Sequence, residues 1–113
     1  MQPSTKRILL VEDDPSLRSE VRLGLERLEV EVLAVASGRA ALQALDGQHF
    51  DLVCLELSLP DLSGLEVCDY VRCKPHLARV PLVVLSDRDL PLERAQAEES
   101  GASAFVAKPF ATR

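Results

Sequence analysis

The sequence predicts an α/β fold, a doubly wound sheet of five parallel strands with helices on both faces. Short apolar runs, typical of strands buried on both sides, recur along the 113 residues. Longer amphipathic stretches separate these runs, and capping residues mark where those stretches begin and end. Polar side chains follow the apolar runs directly, at the strand ends where sheets of this class bind ligands.

The first strand is predicted at residues 6–11 (KRILLV), directly ahead of three acidic residues. Asp14 is placed to cap the following helix, and Pro15 to occupy its first position. The apolar face of this helix is formed by residues at helical spacing, which are Leu17, Val21, Leu25 and Leu28.

The next two strands are predicted on either side of a short helix. Residues 30–35 alternate less cleanly than the other runs, which indicates an edge strand. Ser37 is placed to cap the helix, whose apolar residues include Leu45, and Gly47 is placed to end it. Residues 52–55 (LVCL) form the third strand, which is the most apolar run.

The second half of the chain supplies two more helices and two more strands. Ser63 and Glu66 have the S-x-x-E spacing of a capping box, which starts a third helix. Residues 80–85 form a fourth buried strand, and residues 92–100 a polar helix that a glycine ends. Residues 104–107 (AFVA) form the last strand.

Polar groups follow four of the five predicted strands, and the parallel order brings them to one rim. Clustered carboxylates repel one another unless a cation or a lysine lies among them. An oxygen-rich site of this kind suits Mg²⁺, which takes one or two carboxylates together with waters and a phosphate. The residues concerned are Glu12, Asp13, Asp14, Glu56, Ser86, Asp87 and Lys108.

With these residues in place, the chain resembles the receiver domain of two-component response regulators. The resemblance covers residues 6–110 and rests on four segments in the right order, ILLVEDDP, FDLVCLELSLPDLSG, VPLVVLS and GASAFVAKPF. It implies a flavodoxin-like sheet with the strand order 2-1-3-4-5. It also implies that residues 1–113 form a single receiver-like domain.

The resemblance implies a role for each residue of the rim. Glu56 stands at the phosphoacceptor position, and Mg²⁺ ligands are implied at Glu12, Asp13, Glu56 and the backbone carbonyl of Ser58. Ser86 and Phe105 match the hydroxyl and the aromatic residue that respond to the phosphoryl group. Lys108 matches the lysine that pairs with the phosphate or the carboxylate.

Two residues of the rim depart from the family pattern. Glu56 replaces the aspartate that accepts the phosphoryl group. A glutamate is also a carboxylate nucleophile, but its extra methylene adds roughly 1.5 Å of reach. Asp87, next to Ser86, adds bulk and negative charge to a pocket that receives an anion. Both departures indicate a degraded phosphoacceptor site. Glu56 then either pairs with Lys108 or mimics the phosphorylated state.

The third departure concerns the fifth helix, which family members carry after the segment that matches residues 104–110. We expect this helix to be missing or truncated here. The alternatives are a fragment of a longer regulator or a sheet face that a partner or a second copy covers.

These observations favour a receiver-like signalling and protein-interaction module that works without ordinary aspartyl phosphorylation. The alternative is a working Mg²⁺-dependent switch in which Glu56, Asp13 or Asp61 accepts phosphate. An enzyme of similar architecture is disfavoured, because residues 12–16 (EDDPS) supply neither a flavin phosphate loop nor the D-x-D-x-T motif of haloacid dehalogenases. We expect no organic cofactor, since glycine-rich nucleotide loops are absent from the sequence.

The expected partners are proteins. The resemblance implies a histidine kinase or phosphotransfer protein as one partner, and a protein partner or effector domain that binds through the Phe105 face. A homodimer is a further alternative. The net charge of −5 argues against direct binding to nucleic acid. The sequence has no apolar segment long enough for a membrane span or a signal peptide, so we expect a cytoplasmic location. Its three cysteines are expected to be reduced.

Overall fold

The computed structural model describes residues 5–86 and 91–107. The elements alternate between strand and helix along this part of the chain. In chain order they are β1 (Arg7–Val11), α1 (Pro15–Glu26), β2 (Glu31–Val35), α2 (Gly38–Gly47), β3 (Leu52–Glu56), α3 (Gly64–Cys73), a short 3-10 helix (Pro75–Leu77), β4 (Leu82–Ser86), α4 (Pro91–Glu99) and β5 (Ala104–Ala107).

The strands form one parallel sheet in the order β2-β1-β3-β4-β5. This confirms the predicted fold class and strand order, and β2 lies at an edge as its sequence indicated. In the register, Val11 pairs with Leu55, and Glu56 pairs with Leu85. The carboxyl ends of β1, β3 and β4 therefore lie side by side at one edge of the sheet.

Apolar side chains cover both faces of the sheet. One cluster joins alternate residues of the strands, such as Leu9 and Val53, to helices α2, α3 and α4. The other joins Ile8, Leu10 and Cys54 to half-buried residues of α1. The sheet thus has helices on both faces, as the alternation of strands and helices predicted.

Side-chain caps start the helices where the sequence placed them. The carboxylate of Asp14 accepts the N–H groups of Ser16 at 3.0 Å and Leu17 at 3.3 Å, which begins α1. The hydroxyl of Ser37 accepts the N–H of Ala40, and α3 begins with the predicted capping box of Ser63 and Glu66. Because these caps join residues close in sequence, local sequence was enough to predict them.

The first helix is shorter than its apolar spacing predicted. It ends at Glu26, and Leu28 lies beyond it with 69% of its surface exposed. The backbone turns at Glu29, whose φ is 63°, so the chain can enter β2. Assigning Leu28 to the apolar face was therefore wrong.

Cys54 and Cys68 are buried and Cys73 is exposed, all three as free thiols. Burial raises the pKa of Cys54 to about 11, so its thiol stays protonated.

Among the described residues there are four α-helices, none of them long and apolar enough to cross a membrane. A fifth helix would fall on residues 108–113, which lie outside the described residues.

The guanidinium of Arg72, on α3, joins segments that are far apart in sequence. Its Nη2 and Nε atoms donate to the carbonyl of Gly101 at 2.7 and 3.0 Å. Its Nη1 donates to the carbonyl of Val80 at 2.7 Å and to that of Ala78 at 3.1 Å. One side chain thus binds α3 to the connection before β4 and to the turn before β5.

We predict that Arg72→Met lowers the free energy of unfolding by about 2 kcal/mol, because it leaves several half-buried carbonyls without their charged donor. Urea denaturation followed by circular dichroism measures the change. Arg79→Met is the matched control, since Arg79 is an exposed arginine of the same region. Equal stability of the Arg72→Met and Arg79→Met variants would contradict the role of Arg72.

Candidate functional site

Three buried polar side chains lie at the carboxyl edge of the sheet. Glu12 follows β1, Glu56 ends β3, and Ser86 ends β4. They are 1%, 3% and 3% exposed, respectively, and they are the buried polar or charged residues of the part of the chain described here. Burying a carboxylate away from water costs free energy. The grouping of these buried side chains at one edge therefore indicates a functional site.

The carboxylate of Glu56 bends back onto the loop that follows it. Its Oε2 atom accepts the backbone N–H of Ser58 at 2.9 Å. The N–H of Ser58 thus has its hydrogen-bond acceptor in the side chain of Glu56, two residues earlier in the chain. The loop is held close to β3, because the N–H of Gly64 donates to the carbonyl of Leu57 at 2.7 Å.

Gly64 is required by this close approach of the loop to β3. A Cβ atom at this position would lie 2.5 Å from the backbone oxygen of Glu56. Contact at that distance with backbone atoms cannot be relieved by a side-chain movement. The glycine thus allows α3 to begin directly beside the end of β3.

The acidic segment after β1 is organised around Arg18 of α1. The Nη1 atom of Arg18 donates to the carbonyl of Glu12 at 2.9 Å and to that of Asp13 at 3.4 Å. The Oε2 atom of Glu12 accepts the N–H of Asp14 at 3.2 Å, while Asp13 is exposed. Arg18 thus places its guanidinium beside the backbone of two successive acidic residues, and sequence reasoning did not identify it.

Asp61, in the loop between β3 and α3, caps a helix that lies earlier in the chain. Its carboxylate accepts the N–H of Gly38 at 2.8 Å and that of Arg39 at 2.9 Å, at the start of α2. It also accepts the N–H of Leu62 in its own loop at 2.9 Å. The loop after Glu56 is therefore fastened to α2.

These hydrogen bonds affect the ionisation of Asp61. The N–H groups of Arg39 and Gly38 hold the pKa of the Asp61 carboxyl below its usual value of 3.8. A negative charge at the first turn of a helix is also favoured by the helix dipole. Sequence reasoning missed this role, because Asp61 and Gly38 are 23 residues apart.

We predict that Asp61→Asn destabilises the protein at pH 7 and that the difference from wild type shrinks in acid. Because the folded pKa is lowered, the contribution of the charge is complete above the unfolded pKa of 3.8 and is lost as the pH falls through the folded pKa. Urea denaturation between pH 7 and pH 3 measures it. Asp69→Asn, at an exposed position of α3, is the control, and a pH-independent difference for Asp61→Asn would contradict the prediction.

The donor atoms at this edge fit Mg²⁺ in part. Glu12 and Asp13 supply carboxylates of the kind that the ion prefers, with waters completing its coordination. Among residues 5–86 and 91–107, however, no group of three His, Cys, Asp or Glu side chains is arranged to hold a metal ion. The Mg²⁺ site at Glu12, Asp13, Glu56 and the carbonyl of Ser58 therefore stays a prediction.

The remaining predicted site residues lie on β4, on β5 or outside the described residues. Ser86 is buried at the end of β4, at the same edge as Glu56. Phe105 lies on β5, half-buried against the core, and the guanidinium of Arg94 lies over its ring. Asp87 and Lys108 fall outside the described residues, so the expected contact between Glu56 and Lys108 is untested.

A five-stranded parallel sheet with buried acidic groups at its carboxyl edge is typical of α/β proteins that bind a ligand at that edge. Comparison with known families identifies the class more closely. Residues 8–113 match the response regulator receiver domain. The chain therefore belongs to the response regulator receiver family, which serves two-component signalling.

Individual relatives agree with this assignment. The transcriptional regulatory protein QseB of Haemophilus influenzae is 38% identical over 105 residues, which cover 93% of this chain and 47% of QseB. The chain spans about half the length of the curated relatives that it matches, since 46% and 47% of two of them are covered.

Solved structures share the fold closely. The chemotaxis protein CheY4 of Vibrio cholerae superposes with a TM-score of 0.91 at 27% identity, over 96% of this chain and 90% of that one. The receiver domain of a sensor histidine kinase from Pseudomonas aeruginosa, solved with magnesium in its active site cleft, gives a TM-score of 0.88 at 30% identity. That comparison covers 96% of this chain and 88% of the Pseudomonas chain.

Proposed function

We propose that residues 1–113 form one atypical receiver domain that acts as a signalling and protein-interaction module without ordinary aspartyl phosphorylation. The observation that carries this proposal is the environment of Glu56. Its carboxylate is 3% exposed and accepts the N–H of Ser58 from its own loop. The site thus contains an anion that belongs to the chain.

Transfer of a phosphoryl group to Glu56 requires an oxygen of its carboxylate to attack phosphorus while the donor's leaving group departs. Such displacements depend on placement, and an error of about 1 Å costs about a hundredfold in rate. The extra methylene of glutamate displaces the carboxylate by roughly 1.5 Å from where an aspartate would hold it. The hydrogen bond to Ser58 favours the bent-back position further.

The neighbouring carboxylates are poor substitutes as acceptors. Asp61 already accepts three backbone N–H groups, from Gly38, Arg39 and Leu62, and these would have to break before it could react. Asp13 is exposed rather than buried at the carboxyl edge beside Ser86. We infer that the domain holds one state of the pocket, with Glu56 in place of a transient phosphoryl group.

The partners that we propose are proteins. The curated relatives are named as transcriptional regulatory proteins about twice the length of this chain, so we propose that the domain acts with an effector domain. We propose the face around Phe105 as the contact surface, with a second copy of the chain as another candidate for it. A histidine kinase or phosphotransfer protein is the proposed partner at the pocket.

We predict that acetyl phosphate and Mg²⁺ leave the wild-type chain unmodified and that Glu56→Asp gains a phosphoryl group. Shortening the side chain by one methylene returns the carboxylate to the aspartate position, which we expect to raise the rate about a hundredfold. Intact-mass spectrometry detects the adduct, and hydroxylamine sensitivity identifies it as an acyl phosphate. Glu56→Gln, which lacks a nucleophilic carboxylate, is the control.

Stoichiometric modification of wild-type Glu56 would overturn the proposal and favour the second candidate, a working Mg²⁺-dependent switch. Modification of Asp13 or Asp61 would favour that candidate as well. A second measurement separates the two functions independently. If the wild-type pocket serves as a switch, Mg²⁺ titration of the wild-type chain shifts the amide resonances of Glu12, Asp13 and Ser58. Our proposal expects these shifts to be stronger in Glu56→Asp than in the wild-type chain.

A further inference from the structure

Two adjoining cavities open at the amino edge of the sheet, opposite the edge that carries Glu12 and Glu56. The larger has a volume of about 420 Å³ and lies between residues 49–51, which lead into β3, and residues 75–81, which connect α3 to β4. The smaller, of about 340 Å³, lies between the end of α2 and the 3-10 helix. Volumes of about 300–1,000 Å³ are typical of small-molecule sites. We call the pair the amino-edge cavity.

The floor and walls of the amino-edge cavity are largely apolar. Phe50 lines the larger cavity and Leu77 the smaller, and both belong to the core, with 2% and 3% of their surfaces exposed. Pro75 and Pro81 also line the larger cavity, and their rings restrict the backbone of the connection before β4. Restricted walls reduce the conformational entropy that binding a ligand costs.

Arg7 fixes the loop that leads into β3 and forms one wall of the cavity. Its guanidinium donates to the carbonyl of His49 at 3.0 Å and lies over the ring of Phe50, 4.9 Å from its centre. Its backbone N–H donates to one carboxylate oxygen of Asp51 at 2.8 Å. The other oxygen of Asp51 lies 3.2 Å from Nε2 of His49. Both oxygens of this carboxylate therefore have partners inside the wall.

The basic side chains on the far side of the cavity are not engaged in this way. His76 lines both cavities and Arg79 the larger one, and both are exposed. Neither side chain makes a hydrogen bond or an ion pair with the rest of the described chain. The nearby acidic groups are occupied, since Asp46 accepts the hydroxyl of Tyr70 and Asp51 has the partners above. The cavity thus offers free donors and a positive charge in a chain whose net charge is −5.

We propose that the amino-edge cavity binds a small carboxylic acid with an apolar, ring-bearing body. The guanidinium of Arg79 holds the carboxylate, because the two groups form paired, charge-assisted hydrogen bonds. The imidazole of His76 donates a further hydrogen bond, and the body of the ligand lies against Pro75 and Val80. The site is at the opposite edge of the sheet from Glu56, so the inference does not depend on whether Glu56 accepts a phosphoryl group.

Titration of the wild-type chain with phenylacetate, followed by NMR without Mg²⁺ or a phosphoryl donor, tests the proposal. We expect saturable shifts at the amides of residues 49–51 and 76–80, with a dissociation constant on the order of 1 mM. The amides of Glu12 and Ser58, at the other edge of the sheet, stay unshifted. Phenylacetamide has the same body without the charge, and inorganic phosphate has a charge without the body. Each of them binds at least about tenfold more weakly than phenylacetate.

Two variants and a control test the roles of Arg79 and of the cavity. Arg79→Gln removes the guanidinium and weakens phenylacetate binding about tenfold. Arg27→Gln, at an exposed arginine after α1, leaves the affinity unchanged. Ala78→Phe fills the larger cavity and abolishes the shifts at residues 49–51. Residues 78 and 79 are exposed, so we expect both variants to fold, and the dispersion of their NMR spectra checks this.

An equal affinity for phenylacetate and phenylacetamide would overturn the proposal, because the charge would then play no part in binding. An equal affinity for inorganic phosphate would overturn it too, since the apolar body would then contribute nothing. The proposal also fails if phenylacetate gives no saturable shift, if the shifts centre on Glu12 and Ser58, or if Arg79→Gln binds as tightly as the wild-type chain.

Discussion

The parallel order of the sheet is the constraint on which the other features depend. It brings the carboxyl ends of β1, β3 and β4 to one edge, where the residues that follow them must share a small space. Two of these residues, Glu12 and Glu56, are buried carboxylates. Buried charge is tolerated only where hydrogen bonds or opposite charges compensate it, and here the backbone N–H groups of Asp14 and Ser58 donate to the two carboxylates.

The loop after Glu56 shows how far this compensation extends. One end of the loop donates an N–H to the carboxylate of Glu56, and its middle is tied to the start of α2 through Asp61. Its other end is the capping box that begins α3. A loop fixed at three places has little freedom to rearrange around an incoming group. These contacts support our proposal that the pocket holds one state.

Local patterns in the sequence predicted the strands and most helix starts, whereas the strand order was implied by the resemblance to receiver domains. Asp14, Ser37 and Ser63 cap helices within three residues of themselves, and local rules describe such contacts well. The end of α1 was misjudged because the spacing of apolar residues continues to Leu28. Where that helix ends depends instead on how the chain must turn to enter β2, which the spacing does not contain.

The candidate site was predicted in its composition but only partly in its geometry. The resemblance to receiver domains pointed to Glu12, Glu56 and Ser86, and the structure brings all three to the edge in buried positions. The contacts of Asp61 and Arg72 could not be predicted. Both side chains bind backbone groups more than 20 residues away. Because nearly every residue carries the same backbone groups, the sequence does not show which of them a distant side chain will bind.

The carboxyl end of α4 is tied to the edge of the sheet that lies away from the pocket. The helix lies between β4, which ends in the buried Ser86, and β5, which carries Phe105. Because Arg72 binds the carbonyl of Gly101, the turn that ends α4 is fixed to α3 at the edge of the sheet opposite the pocket. Arg72 thus fastens the amino edge of the sheet, while the hydrogen bond between Glu56 and Ser58 fastens the loop at the carboxyl edge.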